Sequence, residues 1–158
     1  MKTRAVVFAY SEVGVRCLEV LLAGQVEIPL VVTHDDDPNE TRWFASVAEL
    51  ARRYELPCIA PDSAGDPSLV ERVATLAPDF IFSFYYRFLL GEEILRSARR
   101  GALNMHGSLL PKFRGRAPVN WALLHGATET GATMHYMVAR ADAGNIVDQQ
   151  SVPIGEDD

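Results

Sequence analysis

Short apolar runs that alternate with helix-spaced segments narrow the fold more than any other feature of this sequence. Ala5 to Tyr10 (AVVFAY) and Ile28 to Thr33 (IPLVVT) are continuous, β-branched and too short for helices, so they read as buried strands. Cys58 to Ala60, Asp79 to Phe84 (DFIFSF) and Ala102 to His106 (ALNMH) follow as third, fourth and fifth strands. Between the first two, Val13, Cys17, Leu18, Leu21 and Leu22 recur at helical spacing, with Ser11 placed to cap the helix and Gly24 to stop it. Phe44, Val47, Ala48 and Ala51 predict a second helix with one face on the core, and Leu69, Val73 and Leu76 a third. A short helix is predicted near Glu92 to Ala98, and another over Pro118 to His125 with proline in its first turn. Gly131 to Val138 and Asn145 to Ile154 read as two strands around the turn Arg140 to Gly144, with no helix between them.

Strands that alternate with helices imply parallel pairing through right-handed crossovers. The expected fold is therefore α/β, a Rossmann-like mostly parallel sheet with helices on both faces. The last two strands should form an antiparallel pair near the C-terminus. No repeat or internal boundary divides residues 1–158, a length suited to one domain. The tail Ile154 to Asp158 is loop-like and brings no closing helix, so the domain is expected to be truncated there.

Composition excludes several classes. With 48% hydrophobic and 23% charged residues the chain is globular, and no apolar run is long enough for a membrane span. The net charge of −6 speaks against nucleic acid as a partner. The two cysteines, Cys17 and Cys58, cannot build a disulfide framework and are expected as buried, reduced thiols. The apolar run after Met1 to Arg4 is too short for a signal peptide, so a cytoplasmic protein with no membrane partner is expected. His34, His106, His125 and His135 lack close ligand spacing and there is no CxxC, so no metal is expected. The first strand-to-helix turn, Tyr10 to Gly14, lacks the glycines of a dinucleotide fingerprint.

In open α/β sheets ligands bind beyond the carboxyl ends of the strands. There the sequence places Asn104, His106 and Asp142. Asn104 and His106 alternate by two and can leave the same face of a strand. An amide donor beside an imidazole suits a developing oxyanion, and a nearby carboxylate would hold the imidazole's tautomer. The set fits acyl-type transfer to an amine without a covalent intermediate. Each residue also has a plainer reading: Asn104 bonding local backbone, His106 a bystander, Asp142 capping its own turn. Lys112, Arg114 and Arg116 lie in a long loop, Ser108 to Pro118, which suits either phosphate and carboxylate contacts or plain solvation. The aromatic stretch Phe80 to Phe88 starts as core strand, and its end, Tyr85 to Leu90, could wall a flat heterocycle. Asp35-Asp36-Asp37 reads as a solvated loop tip.

The segment Asn104-x-His106-x-Ser108-Leu109-Leu110-Pro111, followed by Asp142 in a turn, resembles the 10-formyltetrahydrofolate-dependent formyltransferases from Ala5 to about Pro153. In that family the residues matching Asn104, His106 and Asp142 are the catalytic set. Phe8-Ala9-Tyr10, Phe82 to Arg87, Asn104 to Pro118 and Arg140 to Gly144 are similar to one branch, which formylates UDP-4-amino-4-deoxy-L-arabinose for lipid A modification and polymyxin resistance. The resemblance implies 10-formyltetrahydrofolate as co-substrate and a UDP-sugar amine as acceptor. It implies folate contacts at Phe88, Leu89, Leu90, Arg116, Val138, Ala139, Arg140, Ala141 and Asp142. It also implies homo-oligomeric full-length relatives that continue into a barrel-like subdomain and a dehydrogenase domain. Methionyl-tRNA formyltransferase shares the catalytic residues, but Asp35-Asp36-Asp37 stands where a basic insertion would suit tRNA. Glycinamide ribonucleotide formyltransferase fits less well, because Arg114 to Pro118 does not look like its loop. A folate- or nucleotide-binding fragment without catalysis is the rival from another class.

Overall fold

The structure is a computed structural model that describes residues 2–35, 39, 41 and 43–158. The chain forms two compact units, one up to Ala102 and one from Leu103. The first holds β1 (Arg4–Ala9), α1 (Ser11–Ala23), β2 (Glu27–Val32), α2 (Val47–Arg53), β3 (Cys58–Ile59), α3 (Pro67–Leu76), β4 (Phe80–Phe84) and α4 (Glu92–Ser97). Its strands lie in the order β3-β2-β1-β4, and every neighbour pairs in parallel. This is the Rossmann-like α/β arrangement that the alternating runs predict. Residues 5–10, Leu30 to Val32, Ile81 and Phe84 are buried between Val15 and Leu18 of α1, Val47, Leu50 and Ala51 of α2, and Leu69 and Val73 of α3. Each large apolar side chain so buried contributes roughly 1.5–3 kcal/mol.

Several local expectations need correction. Ser11 does not cap α1: it is the helix's first residue, and Tyr10 takes the N-cap position with no capping hydrogen bond from its side chain. At the other end Gly24 keeps a right-handed φ of −74°. The left-handed position passes to Gln25 (φ 58°), whose N–H meets the Leu22 carbonyl while the Val26 N–H meets that of Leu21. In α2 the exposed Ala48 leaves the core face to Leu50, one turn from Val47. Cys17 and Cys58 are free thiols but only half-buried; burial still pushes Cys17 up to about 11. Asp36 and Asp37, in the acidic loop tip, lie outside the described residues.

Strand β5 (Gly101–His106) carries the chain into the second unit, with α5 (Pro118–Leu124), β6 (Glu129–Tyr136) and β7 (Ile146–Pro153). Here the order is β5-β6-β7. The expected antiparallel pair β6–β7 is present. The β5–β6 pair is antiparallel as well, although a helix separates the two strands in sequence. The long Ser108 to Pro118 loop ahead of α5 lets the chain turn back, which a tight strand-to-helix crossover would not. Among the described residues no helix is long and apolar enough to cross a membrane.

Candidate active site

The antiparallel register of β5 and β6 builds the site, which lies wholly in the second unit. Asn104 stands opposite His135, and His106 opposite Thr133. Directly opposed residues project to the same side of a sheet, so one face carries all four. His106, Thr133 and His135 are buried, His135 at 1% exposure. Asn104 Nδ2 lies 3.2 Å from His135 Nε2. His135 Nδ1 donates to the Tyr136 carbonyl at 2.9 Å, and His106 Nε2 donates to the Phe113 carbonyl at 2.8 Å.

Asp142 joins the two imidazoles. Its Oδ1 is 3.5 Å from His106 Nδ1 and 3.6 Å from His135 Nε2, while Oδ2 accepts the Gly115 N–H at 2.9 Å. Asp142 sits at φ 52°, a left-handed conformation that aspartate tolerates better than most residues. Two residues on, a Cβ at Gly144 would overlap the Tyr136 carbonyl, so glycine lets the turn lie against the end of β6. The Tyr136 N–H closes the same contact on the Asn145 carbonyl at 2.9 Å.

The electrostatics follow from these contacts. Contact with His135 lowers the Asp142 carboxyl; burial opposes that, and the Gly115 N–H and the charges of His106 and His135 reinforce it. For His135, burial alone would lower the imidazole. The Asp142 contact, the Tyr136 carbonyl and the charge of Asp142 together outweigh burial and raise it. A carboxylate, two imidazoles and an amide donor within one cluster can hold a developing oxyanion and move a proton.

Thr133 anchors the adjoining loop. Its hydroxyl donates to the Ser108 carbonyl at 2.6 Å and accepts from the Leu110 N–H at 3.1 Å and from Gln149 Nε2 at 2.9 Å. Ser108 Oγ donates to the Lys112 carbonyl at 2.6 Å. The residues Lys112, Arg114 and Arg116 project into solvent, as do Val138, Ala139, Arg140 and Ala141.

The structure thus brings Asn104, His106 and Asp142 together, and adds a second imidazole, that of His135, against the Asn104 amide. Sequence reasoning weighed His135 only as a metal ligand and passed over Thr133. The signal was their spacing of two on β6, legible only once β6 is set against β5. Among the described residues no cluster could hold a metal ion.

Phe88, Leu89 and Leu90 belong to the first unit. There the His34 ring stacks on Tyr86 at 4.3 Å and meets Phe88 and Tyr10 edge-on at 4.7 and 5.2 Å. The Arg87 N–H donates to His34 Nε2 at 2.9 Å, and burial, then the Arg87 charge, lowers that imidazole. Phe88 is 38% exposed and Leu89 84% exposed, so this aromatic group presents an open apolar side.

Comparison with known proteins matches the chain to a family. Residues 3–158 match the formyl transferase family. A phosphoribosylglycinamide formyltransferase from Bacillus halodurans superposes with a TM-score of 0.82 at 27% identity, over 99% of this chain and 82% of that one. A glycinamide ribonucleotide transformylase from Symbiobacterium toebii gives 0.82 at 28%, over 99% of this chain and 76% of that one. The sugar 3N-formyl transferase WlaRD, solved with dTDP and 5-N-formyl-THF, gives 0.74 at 22%, over 98% of this chain and 53% of that one. A match that runs almost from end to end places this chain in the formyl transferase family, and it is an enzyme that transfers a formyl group.

Proposed function

We propose that the enzyme transfers the formyl group of 10-formyltetrahydrofolate to the amine of UDP-4-amino-4-deoxy-L-arabinose, a step that serves lipid A modification and polymyxin resistance. The observation that carries the catalytic part is Asp142 within ion-pair distance of His106, on the face that also bears Asn104. The amine nitrogen attacks the formyl carbon, and the new C–N bond forms as the carbonyl oxygen takes up negative charge. Asn104 Nδ2 and the His106 imidazolium stabilise that oxygen. The C–N10 bond to the folate then breaks as His106 gives its proton to the departing nitrogen, and the proton lost by the attacking amine restores the imidazolium. Asp142 holds His106 in position, its Oδ1 3.5 Å from His106 Nδ1. The Nε2–H that now meets the Phe113 carbonyl is the donor a substrate oxygen would take over. Arg116, Arg140 and the exposed Val138, Ala139 and Ala141 beside Asp142 fit a carboxylate-bearing, partly flat donor, and Phe88, Leu89 and Leu90 are proposed as its apolar contacts.

The UDP-sugar acceptor rests on the resemblance of the Asn104 to Pro118 and Arg140 to Gly144 segments. A second acceptor, glycinamide ribonucleotide, is favoured by solved relatives that carry that activity at 27% and 28% identity. Both are primary amines, so the mechanism is the same.

Calorimetry with 5-formyltetrahydrofolate, a stable mimic of the donor, tests the reading, with UMP added afterwards. Heat from both supports a sugar-nucleotide enzyme. Folate heat with no UMP response, together with turnover of glycinamide ribonucleotide, replaces the sugar with the second acceptor. No folate heat overturns the donor assignment. His106→Ala is expected to abolish transfer while the folate heat stays within a few-fold of wild type; equal loss of both would remove the catalytic role from His106.

A further inference from the structure

We infer that His135 is a positioning residue that sets the direction of the Asn104 amide, an inference that rests on the formyl-transfer reading above. The Tyr136 carbonyl can only accept a hydrogen bond, so His135 Nδ1, 2.9 Å away, carries a proton. In the neutral ring Nε2 is then a pure acceptor. Its neighbour at 3.2 Å is Asn104 Nδ2, which donates. Turning the amide over would set Oδ1 against the Nε2 lone pair, so the ring selects one of the two amide orientations. One Nδ2 hydrogen is used in this contact. The other stays available for an oxygen that gains charge during transfer, and its direction follows from the first. His135 can do this because it is rigidly held: it is 1% exposed, and its Nδ1 is tied to a backbone that Gly144 packs against. A surface histidine opposite Asn104 would give the amide no fixed reference.

Two measurements at alkaline pH, where the ring is neutral, test this. The first needs no substrate: NMR of the wild-type chain labelled with 15N should show a through-hydrogen-bond coupling between Asn104 Nδ2 and His135 Nε2. The second is kinetic. His135→Leu should lower kcat by about ten- to a hundred-fold, since loss of one oxyanion donor costs about 100- to 1,000-fold and a misdirected donor somewhat less. KM for the formylfolate should stay within a few-fold of wild type. His135→Gln, whose side-chain oxygen can accept the Nδ2 hydrogen, should restore most of the rate. Absence of the coupling overturns the inference whether or not the variants fold. So does a His135→Gln that folds and is as slow as His135→Leu. A wild-type chain that shows the coupling but transfers no formyl group would instead overturn the function proposed above.

Discussion

At the scale of the residue, the chemistry turns on one carboxylate serving two imidazoles. Asp142 is the main influence raising His135, and burial is the influence lowering it. Asp142→Asn removes the charge and leaves the burial and the Tyr136 carbonyl, so His135 should titrate lower than in the wild type. An NMR titration of the imidazole carbons reads this directly; an unchanged midpoint would show that Asp142 does not govern His135. The same pair makes stability depend on pH. A raised histidine contributes stability that is complete below its unfolded-state value and is lost as pH rises through the folded value. A depressed carboxylate contributes stability that is present above its unfolded-state value and is lost as pH falls through the folded value. The excess melting temperature of wild type over Asp142→Asn should therefore peak between about pH 4 and about pH 6.5, the ordinary carboxylate and imidazole values, and shrink on either side. A difference that grows steadily into alkali would contradict the pairing.

At the scale of the element, the site depends on how a turn and a strand end meet. Gly144 is where they touch: an added Cβ would collide with the Tyr136 carbonyl, which is also the acceptor for His135. Gly144→Ala should cost about 1–3 kcal/mol of stability, in the range of an overpacked core site. Gly65→Ala, where the nearest atom to a new Cβ is 3.6 Å away, should cost much less. Chemical denaturation of both variants checks this, and equal costs would mean the turn adjusts freely. The elements themselves were largely legible in the sequence. Their apolar periods mark the seven strands and five helices found among the described residues, and Asn104, His106 and Asp142 stood out by residue type and motif. What was not legible is pairing direction. A run such as Glu129 to Tyr136 has the same local pattern whether its neighbour runs parallel or antiparallel, so nothing nearby in sequence sets His135 against Asn104. Helix ends were missed for a related reason: tertiary contacts let Gln25 take a left-handed position that propensity assigns to glycine.

At the scale of the whole molecule, charge is what separates the possible acceptors. The chain carries a net charge of −6, yet Lys112, Arg114, Arg116 and Arg140 are exposed on the loops beside the site. The two facts have different reach. In physiological salt a charge is screened beyond about 8 Å, so these four cations act only on groups that come close, such as the carboxylates of a folate or the diphosphate of a nucleotide sugar. A tRNA must lay many phosphates along a surface, and its affinity depends on several simultaneous contacts that release counterions. An acidic chain with four such cations on two loops offers few of these. Excess tRNA is therefore expected neither to slow formyl transfer to a small amine acceptor nor to retard with the protein in a gel, even at about 50 mM salt, where such contacts are strongest. A complex that forms at low salt and dissolves steeply as salt is added would reverse the conclusion, because that slope counts phosphates neutralised. It would mean that the basic residues reach farther than the overall charge allows, and the acceptor would have to be sought among aminoacyl-tRNAs, whose amine is free.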